Sequence, residues 1–188
     1  MDRLRLKGWP VGLSEITDDQ EDSGACGVVE SICLRSAGAA KFAAAGYLAG
    51  HWVLKGTIAG QQATHDIEGE WVLDHHYLRI HEVSREKNKQ GKPQYEALIF
   101  VGWNEQPKQY AYAWLDVYGG LTVESIGVAT PKENEIPFVF KDEKGSINLT
   151  NDFLYHSATD TWEWWIDNVD KGTATPFARV QLTKADRQ

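Results

Sequence analysis

One carboxyl group stands among aromatic residues in a pattern that suits acid–base chemistry. In the segment 109–118, Asp116 alternates with Tyr112 and Trp114, so the three side chains share one face of a β-strand. If that face is interior, burial disfavours the charged carboxylate and raises its pKa. Asp116 would then act as a general acid or base, or as a polar anchor for a ligand. Pairing with a basic residue such as Arg79 would instead keep it ionised, and Asp116 could also face solvent or end its strand.

Six histidines raise the question of a metal or haem site. His75 and His76 are adjacent, so on a strand they point to opposite faces. His156 stands alone near a turn, and no three histidines converge at short range, so no metal ligands and no cofactor are predicted. A single interior histidine can bind haem, and His65 and His156 are the candidates for that alternative. His65 is also a candidate acid or base, whereas a hydrogen-bonded or solvent-facing histidine is the simpler interpretation of each.

Nucleophilic catalysis has little support in the sequence. Cys26 and Cys33 do not match the spacing of zinc ligands, and a disulfide between them stays open. Neither a Gly-x-Ser-x-Gly turn nor a phosphate-binding glycine motif is present. Trp162 and Trp164 share one face of a strand and Trp165 lies on the other. We expect the first two in the core rather than on a platform for stacking sugars or bases.

The elements that must position these residues are ten β-strands. From Gly50 onward, runs rich in Val, Ile, Thr, Tyr and Trp alternate with turn residues. The predicted strands cover residues 51–58, 64–74, 76–85, 94–103, 109–118, 121–129, 136–141, 146–156, 161–169 and 173–183. Gly119 and Gly120 are expected to form a two-residue hairpin turn. The short connections predict an antiparallel meander, and closure into an up-and-down barrel removes its two edges.

A barrel of ten strands leaves more room than side chains alone readily fill, so an internal ligand cavity is expected. In the second strand, alternation places the charged side chains outside and Ile67 inside. In the fifth strand we expect the aromatic face inside, because an exposed row of rings would form a hydrophobic surface patch prone to nonspecific association. The ligand-binding residues predicted from these faces are Trp71, Tyr112, Trp114, Asp116 and His65.

The chain before the strands has a different character. Residues 1–35 contain both cysteines and an acidic run but no sustained periodicity, and they are expected to form a poorly ordered extension. Residues 36–48 are rich in alanine and follow a possible cap at Ser36, which predicts a short helix over one end of the barrel domain 36–188. No apolar segment follows the first basic residues, so a secretory signal is not expected. A cytoplasmic protein is expected if this start is authentic, and an exported one if the start is misassigned, so the localisation stays open.

Several short motifs occur in the order known from one group of barrels. They are Leu48-Ala49-Gly50-x-Trp52, Glu70-Trp71-Val72-Leu73, Gly102-Trp103-Asn104, Trp114-x-Asp116 and a final Arg179. Gly-x-Trp on the first strand with an Arg on the last is similar to the calycin barrels, which include the lipocalins. The whole pattern more closely resembles an uncharacterised lipocalin-like bacterial family, a domain of unknown function. The resemblance implies a calycin-like fold with Trp52 packed against Arg179 where the barrel closes, and it carries over no catalytic residue.

The net charge of the chain limits the kinds of partner that it is expected to bind. The chain of 188 residues has a formal net charge of −8, which argues against nucleic acid and anionic membrane surfaces. We therefore predict a protein that binds a small, largely apolar molecule inside the barrel without catalysis. An isomerase, cyclase or hydrolase using Asp116 or His65 is the alternative, and an accessory domain with a packed interior is a third. The oligomeric state stays open.

Overall fold

The structure, a computed structural model, describes residues 43–185. Ten strands with short connections make up most of this range. The elements are α1 (Ala43–Gly46), β1 (Gly50–Ile58), β2 (Gln61–Val72), β3 (Tyr77–Ser84), β4 (Glu96–Asn104), β5 (Gln109–Asp116), a 3₁₀ turn (Val123–Ser125), β6 (Ile126–Ala129), β7 (Glu135–Lys141), β8 (Ile147–His156), β9 (Thr161–Asp170) and β10 (Thr173–Lys184). The extension 1–35 with both cysteines, and residues 36–42 of the predicted helix, lie outside the described residues.

The strands close into a barrel. Each pairs antiparallel with its neighbours in the chain, and β1 pairs with β10, so the predicted all-β, ten-stranded antiparallel barrel is confirmed. Closure gives every strand a hydrogen-bonded neighbour on each side, with the shortest pairing, of two residue pairs, between β6 and β7. Among residues 43–185, no helix has the length and apolar character needed to cross a bilayer.

The two ends of the barrel differ. We call the end that carries the β1–β2, β3–β4, β5–β6, β7–β8 and β9–β10 connections the open end, and the opposite end, where α1 lies, the capped end. At the open end, the prediction of a two-residue turn at Gly119 and Gly120 was wrong, because β5 stops at Asp116 and β6 begins ten residues later at Ile126. The carboxylate of Asp116 accepts the backbone N–H of Tyr118 and turns the chain away from the strand direction.

The capped end is closed by the chain that follows α1. Ala45 and Leu48 are buried, and the carbonyl of Leu48 accepts a hydrogen bond from the indole of Trp52 at 3.0 Å. Gly69 on β2 faces this segment so closely that a Cβ atom there would lie 2.2 Å from the Leu48 carbonyl oxygen. Only glycine lets the two backbones approach in this way.

Inward-facing aromatic rings fill part of the barrel interior. Six of these rings are fully or almost fully buried, and we call them the aromatic cluster: Tyr112, Phe138, Phe140, Phe153, Trp162 and Trp164. The rings of Phe153 and Trp164 are stacked with centroids 4.7 Å apart. The predicted faces are confirmed in β9, where Trp162 and Trp164 are core residues and Trp165 is 38% exposed, and in β5, where Tyr112 is buried. Tyr118, which the prediction also placed inside, lies beyond the end of β5 and is 80% exposed.

The predicted pairing of Trp52 with Arg179 was wrong, although the strands that carry them do meet. The cation over the Trp52 ring is Lys184, whose Nζ lies 5.2 Å from the ring centroid and whose backbone is directly opposite in the register. Arg179 lies on the outer face of β10, with its guanidinium 5.5 Å from the centroid of Trp165. Alternation along β10 explains the difference, because Arg179 falls between the inward-facing Ala178 and Val180.

A half-buried carboxyl group on the outer face of the barrel is expected to make the thermal stability of the protein depend on pH. Burial raises the pKa of Asp152 on β8, and the neighbouring carboxylates of Glu135 and Asp167 raise it further. A raised pKa in the folded state means that folding favours the protonated form, so this stabilisation is present at low pH and is lost as the pH rises through the folded pKa. Asp152→Asn should therefore raise the thermal midpoint at neutral pH by about 1–3 °C.

The measurement is thermal unfolding of both proteins from about pH 3, below the ordinary pKa of an aspartate carboxyl group, to about pH 8, well above it. The difference between variant and parent should shrink as the pH falls. Asp170→Asn, at the exposed end of β9, is the control and should show no such trend. A midpoint for Asp152→Asn that stays below the parent at neutral pH would contradict the assignment.

Candidate functional site

A cavity of about 870 Å³ occupies the barrel interior toward the open end. On the strands that line the cavity, which are β1, β2, β3, β5, β8, β9 and β10, the inward side chains nearer the open end line it and those nearer the capped end belong to the core. On β5, for example, Tyr112 is in the aromatic cluster while Trp114 and Asp116 line the cavity. The volume falls in the range of small-molecule sites, about 300–1,000 Å³.

The lining has an apolar wall and a polar wall. Strands β1, β8, β9 and β10 contribute apolar side chains, including Leu54, Ile58, Leu149, Trp164, Ile166, Ala178 and Val180. Strands β2 and β3 contribute His65, Glu82 and Ser84. In the ring of ten strands, β3 stands across from β8, so the two walls face each other. The cavity therefore suits a molecule with an apolar body and a polar group on one side.

The centre of the polar wall is a buried histidine–carboxylate pair. His65 Nδ1 lies 2.5 Å from Glu82 Oε1, and the two residues are only 5% and 3% exposed. They meet because both point inward from diagonal positions on β2 and β3, where Glu82 is opposite Ile67. The second carboxylate oxygen, Glu82 Oε2, is buried and has no hydrogen-bond partner among the described residues. A buried polar atom left in this way requires an explanation, and a water molecule or a bound ligand would supply the hydrogen bond.

Both oxygens of a second carboxylate nearby, that of Glu86, already accept hydrogen bonds from the protein. Glu86 Oε1 accepts the backbone N–H of Thr64 at 3.0 Å, and Glu86 Oε2 accepts the hydroxyl of Ser84 at 2.9 Å. Burial alone would raise the pKa of Glu86, but these hydrogen bonds and one from its own backbone together lower it. Glu86 therefore stays ionised and fixes the start of the β3–β4 connection.

Tyr95 and Trp114 join the polar wall to the aromatic rings. Trp114 Nε1 donates to the Tyr95 hydroxyl oxygen at 2.8 Å, and the Tyr95 ring lies 5.9 Å from that of His65. Burial raises the pKa of Tyr95, and the charge of Glu82 raises it further. The Tyr95 hydroxyl thus keeps its proton, and no residue in the range 43–185 accepts it. Tyr95 was missed because the faces of the predicted strand 94–103 had not been assigned from the sequence; in the structure it precedes β4.

Asp116 lies near the open end, where it lines the cavity and also ends its strand. Its Oδ1 atom accepts the backbone N–H of Tyr118 at 2.9 Å. Arg79 is not its partner, since the guanidinium is on the outer face of β3, 3.1 Å from Glu70. Asp116 is thus a rim residue of the cavity rather than a deeply buried acid.

Two predicted ligand-binding residues lie elsewhere in the barrel. Trp71 is near the capped end, where its ring stacks with His75 at a centroid distance of 6.1 Å. Tyr112 is enclosed in the aromatic cluster, with its hydroxyl 3.5 Å from Asn151 Nδ2. Neither lines the cavity, because alternation predicts the face of a residue but not its depth along the barrel. His65, Trp114 and Asp116 do line it.

The other histidine proposed for haem lies on the outside. His156 Nε2 is 3.1 Å from Glu163, and the His156 side chain is 45% exposed. Of the two haem candidates, His65 is therefore the one that faces the cavity. Within the described range, no three His, Cys, Asp or Glu side chains are grouped so that they could hold a metal ion.

Fold and cavity together define the class of protein: a closed ten-stranded antiparallel barrel with an interior cavity toward one end. No model of a known protein family matches the chain, and no curated protein matches it.

Proposed function

We propose that this protein is a calycin-like, lipocalin-like binding protein that holds a small, largely apolar molecule in its barrel. The observation that carries the proposal is the cavity of about 870 Å³, with one wall formed by the aliphatic and aromatic side chains of four strands. Burial of apolar ligand surface would supply most of the affinity, at about 25 cal/mol per Å². The polar wall would orient the molecule.

Trp114 provides the first test. It lines the cavity and is partly buried against the aromatic cluster, so Trp114→Ala should remove a large contact surface from an apolar ligand. With the fluorescent neutral probe N-phenyl-1-naphthylamine, we expect the Kd to rise about tenfold, the effect of losing one good aromatic contact. Trp165→Ala on the outer face is the matched control and should leave the Kd unchanged. Equal affinities for the two variants would reject Trp114 as part of the binding wall.

A second candidate function uses the same cavity for acid–base catalysis. Its specific support is the 2.5 Å contact between His65 and Glu82, since a carboxylate that orients an imidazole is a common arrangement of general bases. Native mass spectrometry of protein purified from its own host would identify a retained molecule. That molecule is then incubated with ligand-free protein. Recovery of that molecule unchanged supports binding alone. A chemical conversion that His65→Ala abolishes would support the enzyme.

A further inference from the structure

The free oxygen of Glu82 constrains what the cavity can hold. Glu82 Oε1 is used by His65, whereas Glu82 Oε2 is buried without a partner within residues 43–185. On β3, the next inward residue toward the capped end is Ile80, which belongs to the core. Glu82 is therefore the deepest residue that β3 contributes to the cavity, and one of its two carboxylate oxygens is not used by the described residues.

The charges around the cavity favour a cation over an anion. Besides Glu82, the lining includes the carboxylates of Glu86, Asp116 and Glu124. The lysines in the described lining, Lys87 and Lys89, belong to the β3–β4 connection at the open end, and the strands contribute neither Lys nor Arg. A carboxylate or phosphate placed deep in the cavity would meet Glu82 with no lysine or arginine beside it, and the nearby imidazole of His65 is already held by Glu82 Oε1, so an anion there is costly.

Aromatic rings line the same region. Trp114 and Trp164 border the cavity from β5 and β9, and Tyr95 lies beside His65. Their faces attract a cation and also pack against an apolar body.

From these observations we infer that the ligand of the proposed binding protein is an amphipathic amine. Its protonated nitrogen donates a hydrogen bond to Glu82 Oε2, and its aromatic or branched apolar body lies against the wall formed by β1, β8, β9 and β10. The inference rests on the proposed function and adds the chemical class of the ligand. The geometry assigns Glu82 as the residue that determines the preference, since the Glu86 carboxylate is occupied by Thr64 and Ser84.

The test uses three probes that share one naphthalene body: 1-naphthylmethylamine, 1-naphthylmethanol and naphthalene-1-carboxylate. Calorimetric titration of the full chain at neutral pH should give an amine affinity roughly tenfold or more above that of the alcohol, as expected for a hydrogen bond between charged groups. The carboxylate should bind most weakly. Glu82→Gln should lower the amine affinity to that of the alcohol while leaving the alcohol affinity within about twofold.

Glu124→Gln at the open end is the matched control and should keep the preference for the amine. The affinities of the three probes for the unmodified protein test the inference even if Glu82→Gln does not fold. If the alcohol and the amine bind equally, or the carboxylate binds best, the assignment of an amine is overturned while the proposed function stands. Failure of all three probes to bind would overturn both.

Discussion

Replacing Phe153 with alanine is expected to lower the free energy of unfolding by about 3–5 kcal/mol. Phe153 is 1% exposed, and its ring contacts those of Trp164, Trp162 and Phe138 within the aromatic cluster. Truncation removes the transfer free energy of the ring and leaves a void that the rigid strands of a closed barrel cannot collapse to fill. The measurement is equilibrium unfolding in denaturant.

Phe153→Leu is the control, since it keeps most of the apolar volume and should cost about 1–2 kcal/mol. This pair also tests where the cavity ends. If Phe153→Ala lost less than about 1 kcal/mol, the cluster would not be a packed core. The cavity would then not be bounded by it, contrary to the account given above.

Asn151→Leu is expected to lower the free energy of unfolding by about 2–4 kcal/mol, because it leaves buried polar groups without partners. Asn151 is completely buried on β8, and its side-chain oxygen accepts the indole N–H of Trp164, which lines the cavity. Its Nδ2 lies 3.5 Å from the hydroxyl oxygen of Tyr112. A leucine of similar size fills the space but accepts no hydrogen bond.

A double-mutant cycle with Trp164→Phe isolates that hydrogen bond. Phenylalanine has no N–H, so the double variant lacks the unsatisfied donor and should recover part of the loss, giving a coupling of about 1–2 kcal/mol. Strictly additive losses would show that Asn151 stabilises the barrel in another way.

The sequence predicted the fold because its signals are local. Alternation places Trp162 and Trp164 inside and Trp165 outside on the one strand β9, and this needs no knowledge of the partners. Short connections between strands similarly require antiparallel pairing, and ten such strands have two edges that closure removes. The face of each residue and the architecture followed from these rules.

The depth of a residue in the barrel and its partner across the sheet do not follow from alternation. Trp71 and Tyr112 face inward as predicted, but both lie on the capped side of the cavity. Register depends on the stagger accumulated around the ring, so alternation could show that Arg179 faces outward but not that Lys184 lies opposite Trp52.

The residues that the sequence analysis missed are polar side chains on otherwise apolar faces. Glu82 shares its face with Leu78 and Ile80, and a charge in that position is a detectable signal of a buried site. Asn151 stands two residues before Phe153 on β8 in the same way. A search for charged or amide residues in phase with the apolar side chains of a strand would have found both.

The interior of the barrel is where we expect the ligand to bind. The most direct measurement is a methyl NMR titration of the full chain with N-phenyl-1-naphthylamine, at up to one equivalent. We predict that shifts concentrate on the methyl groups of Leu54, Leu149, Ile166 and Val180, which line the cavity. The outward methyl groups of Leu98, Val117 and Ile126 should not move. Shifts confined to these outward groups, with the interior methyl groups unchanged, would contradict the account.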